Sequence, residues 1–211
     1  LTDTEATKKN ILSELEWLIA DSQELVFHYS GHGTQFDDPN DNSDESIQAI
    51  CPHDLYDIDT VITDKELHQV FHRIPTSSSL YFIADCCHSG TIDRDIILGP
   101  HTLPKTIIPK FMVVPGMKKP KKKSRRMVIS TTNRHMLLSG CKDDQTSADA
   151  YFGNIPNGAL RYAFVNHLRR NRKLSWTQIH AEILPWMTSH GFDQTPQLSG
   201  PTTLLDKVIF E

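Results

Sequence analysis

The sequence predicts an α/β fold built on a mostly parallel central sheet. Two short apolar runs read as buried strands, an amphipathic helix precedes each, and each ends abruptly in a polar, glycine-containing loop. In open parallel sheets the ligand crevice lies beyond the carboxyl ends of the strands, so the two loops are expected to meet there. The 211 residues, 38% hydrophobic and 23% charged, have the composition of a globular chain long enough to bury a sizeable core.

The segment Thr4 to Ala20 carries Ile11, Leu12, Leu15, Leu18 and Ile19 at helical spacing. The run Glu24 to Tyr29 is the first strand, closed by Ser30-Gly31-His32-Gly33. An acidic, turn-rich stretch from Asp37 to Glu45 reads as a surface loop, and Ala49 to Pro52 returns to the core. Thr63-Asp64-Lys65-Glu66 is a capping box, followed by Leu67, Val70, Phe71 and Ile74 on one helical face. Ser79 to Ala84 is the second buried strand, and it delivers Asp85-Cys86-Cys87-His88-Ser89-Gly90.

Proline and a lysine-rich run, Lys118 to Arg126, mark residues 99–126 as an exposed linker between a region 1–98 and a region 127–211. Beyond it, Met127 to Ser130 reads as a strand, Gly158 to Leu168 and Ser175 to Ser189 as helices, and Thr203 to Phe210 as a last strand.

Composition narrows the function. A net charge of -4 argues against general nucleic-acid binding, and no run approaches the roughly 18 to 20 apolar residues that span a bilayer. Four cysteines, two of them adjacent, make a poor disulfide framework and point to a reducing, cytoplasmic setting. Zinc is disfavoured as well, because neighbouring cysteines point to opposite sides of an extended chain.

The two loops suggest a thiol peptidase. A thiol becomes a strong nucleophile when an imidazole takes its proton, and the same imidazole can later protonate a leaving amine. His32 is the candidate base, and either Cys86 or Cys87 is the candidate nucleophile. The backbone amides of Gly33 and Cys87 are candidates for stabilising an oxyanion. His53, His68, His72, His88, His135, His167, His180 and His190 carry no partner motif and are expected to be structural or exposed.

Tyr29-Ser30-Gly31-His32-Gly33 and Asp85-Cys86-Cys87-His88-Ser89-Gly90 resemble the paired histidine and cysteine motifs of the metacaspases. Lys8-Lys9-Asn10-Ile11, Ile50 to Asp54 and Ser139 to Asp149 extend the resemblance over nearly the whole chain. It implies a caspase-like three-layer sandwich with helices on both faces, in which regions 1–98 and 127–211 match the large and small subunits. It also implies His32 and Cys87 as the catalytic dyad, with Asp85 and Ser30 lining a pocket for Arg or Lys before the cut bond. The basic run 118–126 would then be a region for self-processing. An alternative is a catalytically silent scaffold.

The metacaspases' first strand and one further pocket aspartate lie before the point where this sequence starts. Their calcium ligands align with Ile47, Asp64, Lys65 and Arg94, and a single carboxylate beside two cations is a poor calcium site. No cofactor and calcium-independent activity are therefore expected.

Overall fold

The computed structural model describes residues 1–21, 24–37, 45–87, 108–117, 123–124, 134–142, 145, 147–152 and 155–210. After a 3-10 turn at Asp3–Glu5 the elements are α1 (Lys8–Asp21), β1 (Glu24–Ser30), β2 (Gly33–Phe36), β3 (Glu45–Ile50), β4 (Ile62–Thr63), α2 (Asp64–His72) and β5 (Ser79–Asp85). They continue with β6 (Ile108–Pro109), β7 (Lys123–Ser124), β8 (His135–Ser139), β9 (Ala148–Phe152), β10 (Ile155–Gly158), α3 (Ala159–Arg170), α4 (Trp176–Ser189), β11 (Gln197–Ser199) and α5 (Thr202–Leu205).

The central sheet has the order β1-β5-β8-β11, in which β1, β5 and β8 run parallel and β11 is antiparallel to β8. Side chains alternate across a pleated strand, so a continuous apolar run is stable only where both faces are covered. Leu80, Phe82 and Ala84 of β5 face Ile11, Leu15 and Ile19 of α1 and Leu67, Val70 and Phe71 of α2. Tyr81 and Ile83 face the opposite core, which includes Phe164 of α3 and Trp176, Ile179 and Ile183 of α4. The Trp176 ring stacks between Tyr81 at 5.3 Å and Phe164 at 5.6 Å. On the other side Phe82 stacks on Phe27 at 4.7 Å. The expected three-layer α/β arrangement is therefore present.

The capping box forms as expected: the Thr63 hydroxyl accepts from the Glu66 amide, and the Glu66 carboxylate accepts from the Thr63 amide. Lys8 of α1 reaches the same carboxylate at 2.8 Å and ties the two helices together. Burial pushes the Glu66 carboxyl up, but its bonds from Lys8 and Thr63 outweigh this and hold it below its ordinary value of 4.5. The stabilisation is thus complete above pH 4.5 and is lost as the pH falls through the lower folded value. Glu66→Gln is expected to cost about 0.5–1 kcal/mol at pH 7, discounted for partial exposure. In urea melts the gap between variant and wild type should close in acid.

In a second sheet β3 pairs antiparallel with β2 and β4 and parallel with β7, and Phe36, Ile47, Ala49 and Val61 pack there against Val114. That contact corrects the expected linker, because residues 108–117 are not an exposed tether: Lys110 is 1% and Val114 2% exposed. The proline-rich composition misled because β6 adds to β9 at the end of a small sheet, where proline costs little. The expected last strand is also corrected. Thr202–Leu205 is a short helix, since the place beside β8 is already filled by β11, and Leu204 and Ile209 instead seal the core around Trp176. The expected strand at Met127 to Ser130 and the loop at 38–44 lie outside the described residues. Among the described residues no helix is long and apolar enough to cross a membrane.

Candidate active site

Parallel pairing sets the two motif loops side by side. Ser30 of β1 is the partner of Asp85 of β5, so two residues further on each strand lead to His32 and Cys87 at the same end of the sheet. The Gly31 amide crosses to the Asp85 carbonyl at 3.4 Å. The Tyr29 hydroxyl lies 2.7 Å from the His32 carbonyl and 2.8 Å from the Cys51 carbonyl, which fastens the histidine loop to the chain after β3. A Cβ at residue 31 would stand 2.6 Å from that hydroxyl, so only glycine fits. His32 is half-buried, and its Nδ1 is enclosed without a hydrogen-bond partner among the described residues.

Strand alternation separates the two cysteines. Cys86 joins the core beneath α1 and α2 at 2% exposure, and burial first, then its neighbour Cys87, pushes its thiol well above the ordinary range. Cys87 points the other way, as Asp85 does. Its Sγ accepts from the Ser147 amide at 2.5 Å and lies 2.9 Å from the Ser147 carbonyl. Cys141 lies beside it, and a hydrogen bond to Cys87, reinforced by burial, pushes the Cys141 thiol upward.

The crevice is filled by the chain itself. The amides of Gly33 and Cys87, the two candidate oxyanion donors, both point at the carbonyl oxygen of Lys110, at 2.8 and 3.4 Å. The Lys110 amide donates to the Ser147 carbonyl at 3.0 Å, and the Met112 amide to the Gly33 carbonyl at 2.9 Å. Residues 108–112 therefore run as an extended strand between β9 and Gly33, which bridges to Phe111.

The Lys110 ammonium enters the pocket assigned to a basic side chain. Its Nζ donates to Ser30 Oγ at 2.8 Å and to the Asp85 carbonyl at 3.0 Å, and it pairs with Asp85 Oδ2 at 3.4 Å and Asp149 Oδ1 at 3.1 Å. Asp85 is itself held by the Ser147 hydroxyl at 3.0 Å and by the Arg161 amide at 3.1 Å in the first turn of α3, where a helix favours negative charge. Burial pushes the His28 imidazole below its ordinary value, against the opposing pull of Asp85. A neutral His28 adds no competing cation.

Ser30, Gly33, Asp85 and Cys87 thus meet around Lys110, and His32 lies on the loop that follows the neighbouring strand. Sequence reading missed Lys110, Ser147, Asp149 and Gly158. The signal for Lys110 was the apolar, β-prone Ile107-Ile108-Pro109 and Phe111 to Val114 on either side of it, which suits an extended strand better than a tether. Of the aligned calcium positions, Ile47 is buried in the β2-β3-β4 core, Asp64 opens α2 beside an exposed Lys65, and Arg94 lies outside the described residues. Among the described residues no group of three or more His, Cys, Asp or Glu side chains could hold a metal ion.

Comparisons with known proteins point one way. A family model described as the metacaspase, peptidase C14 domain matches residues 1–94. Metacaspase-2 of Trypanosoma brucei brucei is 33% identical over 203 residues, covering 92% of this chain and 56% of that protein. Metacaspase-1B of Neurospora crassa is 30% identical over 243 residues, covering 98% of this chain and 56% of that protein. The chain thus spans about half the length of the curated relatives it matches. Protein GSU0716 from Geobacter sulfurreducens, a crystal structure, shares the fold with a TM-score of 0.66 at 21% identity over 97% of this chain and 80% of its own. With its two motif loops at the ends of adjacent parallel strands, the chain is similar along nearly its full length to the metacaspases of peptidase family C14.

Proposed function

We propose that this chain is a cysteine endopeptidase that cleaves proteins or peptides after Lys or Arg, with Cys87 as nucleophile and His32 as acid-base partner. The observation that carries the reading is Lys110, whose ammonium meets Asp85, Asp149 and Ser30 while its carbonyl receives the Gly33 and Cys87 amides. A basic side chain in the pocket and a carbonyl before two amides is the posture a substrate needs for attack.

In this mechanism His32 takes the Cys87 proton, and the thiolate attacks the scissile carbonyl. The Gly33 and Cys87 amides hold the oxyanion, and the 2.8 Å Gly33 contact already lies in the effective range. His32 then protonates the leaving amine, and water hydrolyses the thioester. Selectivity for Lys and Arg follows from the buried Asp85 carboxylate, joined by the partly exposed Asp149, since a neutral side chain would leave Asp85 buried without a counterion.

Calcium independence, self-processing in the basic run 118–126 and a cytoplasmic location belong to the same reading. All four cysteines are free, which suits a reducing compartment. The test is turnover of Arg- and Lys-terminated fluorogenic peptides by wild type and Cys87→Ala, with calcium or a chelator. Wild type is expected to be active in both conditions and the variant at least about 10³-fold slower. An active Cys87→Ala would exclude the dyad, and loss of activity in chelator would exclude calcium independence. No labelling of Cys87 by a basic chloromethylketone would instead favour the silent scaffold.

A further inference from the structure

We infer that Gln194 is a positioning residue for the candidate site: with Gln145 it clasps the connection from β8 to β9, so that Ser147 meets both the Cys87 sulfur and Asp85. This rests on the peptidase reading above and names what holds the nucleophile and the basic pocket in register.

Gln194 lies between α4 and β11, 4% exposed, and both ends of its carboxamide are used. Its Oε1 accepts from the Ala148 amide at 2.9 Å, and its Nε2 donates to the Gly140 carbonyl at 2.9 Å and to the Ser147 hydroxyl at 3.4 Å. The reverse orientation would set the NH2 group against an N–H and the oxygen against a carbonyl, so the amide has one satisfied pose. Gln145 returns the grip from the other side. Its Nε2 donates to the Asp193 carbonyl at 2.8 Å, and its Oε1 accepts from the Thr195 amide at 2.9 Å. Antiparallel pairing of Gln197 with Ser139 brings the two segments alongside, and the glutamines carry that contact past the end of the sheet.

The clasp reaches the site through one residue. Ser147 is fully buried, its amide donates to Cys87 Sγ at 2.5 Å, and its hydroxyl donates to Asp85 Oδ1 at 3.0 Å. By donating to that hydroxyl, the Gln194 NH2 group leaves the hydroxyl hydrogen for Asp85. The parts are drawn tightly together, for a Cβ at Gly140 would lie 2.5 Å from Ser147 Oγ. An amide aimed at the sulfur favours thiolate over thiol, because hydrogen bonds to a charged form stabilise it. Gln194 thus acts on the nucleophile through the Ser147 backbone and on the pocket through the Ser147 hydroxyl.

The test compares wild type with Gln194→Leu, Gln145→Ala and, as a control for lost stability alone, Ile183→Ala in the α4 core. Thermal melts establish folding, and kcat and KM for an Arg-terminated peptide are followed against pH. Folded Gln194→Leu is expected to move the acid limb of kcat/KM up by at least about 0.5 pH unit, since the Ser147 amide no longer holds the thiolate. It should also raise KM at least about threefold, since Asp85 loses its brace. Gln145→Ala, on the partly exposed half of the clasp, should shift both in the same direction by less, and it carries the test if Gln194→Leu does not fold. Ile183→Ala should lower the melting temperature and leave limb and KM in place. A wild-type limb and KM in the folded clasp variants, or equal shifts in Ile183→Ala at a matched loss of stability, would overturn the inference and leave the peptidase reading standing. No turnover by wild type would overturn both.

Discussion

Asp85→Asn is expected to lower kcat/KM for Lys- and Arg-terminated peptides by about 10²- to 10³-fold and to destabilise the fold by about 3 kcal/mol. Removing one member of a buried charge pair costs about 3–5 kcal/mol, the lower end applies here because Lys110 keeps its 3.1 Å contact with Asp149, and each 1.4 kcal/mol is a factor of ten. Asp85 is fully buried and does two jobs with one carboxylate. One oxygen accepts from the Ser147 hydroxyl, and the other accepts the Arg161 amide of α3 and faces the Lys110 ammonium. Asparagine keeps the shape, and with its NH2 toward the Ser147 hydroxyl, which can accept, its oxygen still faces the Arg161 amide, but the negative charge opposite Lys110 is gone. Asp149→Asn should cost less, since that side chain is 36% exposed and screened. Steady-state kinetics on matched Arg and neutral peptides would separate specificity from general damage. Unchanged discrimination in Asp85→Asn would remove it from the pocket.

The second large effect is expected from Gly158→Ala. Gly158 precedes α3 with φ -62° and ψ 135°, a conformation open to any residue, so alanine brings no backbone strain. The penalty is space: a Cβ there would lie 1.9 Å from Asp85 Oδ2 and 2.6 Å from Lys110 Nζ. Asp85 cannot retreat without breaking its bonds to Ser147 and Arg161. The methyl therefore takes the volume a substrate ammonium needs, and we expect kcat/KM for basic peptides to fall at least about 10²-fold. Overpacking of this kind costs about 1–3 kcal/mol of stability. A variant that keeps wild-type KM for Arg peptides would show that the basic side chain lies elsewhere.

The parts of this molecule legible in the sequence are those governed by local periodicity. Leu67, Val70 and Phe71 on one helical face and the capping box at Thr63 foretold α2, and the runs ending at Ser30 and Asp85 foretold the two strands that deliver the motif loops. The failures were of another kind. Val208 and Ile209 looked like strand because β-branched residues favour strands, yet the sheet position was already taken by Gln197–Ser199. Pro109 and Lys110 looked like tether because nothing nearby in sequence announces a partner.

By itself, then, the sequence determined the alternation of helix and strand, the two chemical loops, and through family resemblance the preference for Cys87 over Cys86. Only the tertiary structure decided that Cys86 is core, that Asp85 is braced by Ser147 and the start of α3, and that Lys110 fills the pocket between Asp85 and Asp149. Periodicity reports which face of an element is apolar, because that is set by residues two to four positions apart. Residues 85, 110, 149 and 158 are brought together by the register of separate strands and the packing of a helix end, and no local signal encodes such distant pairings.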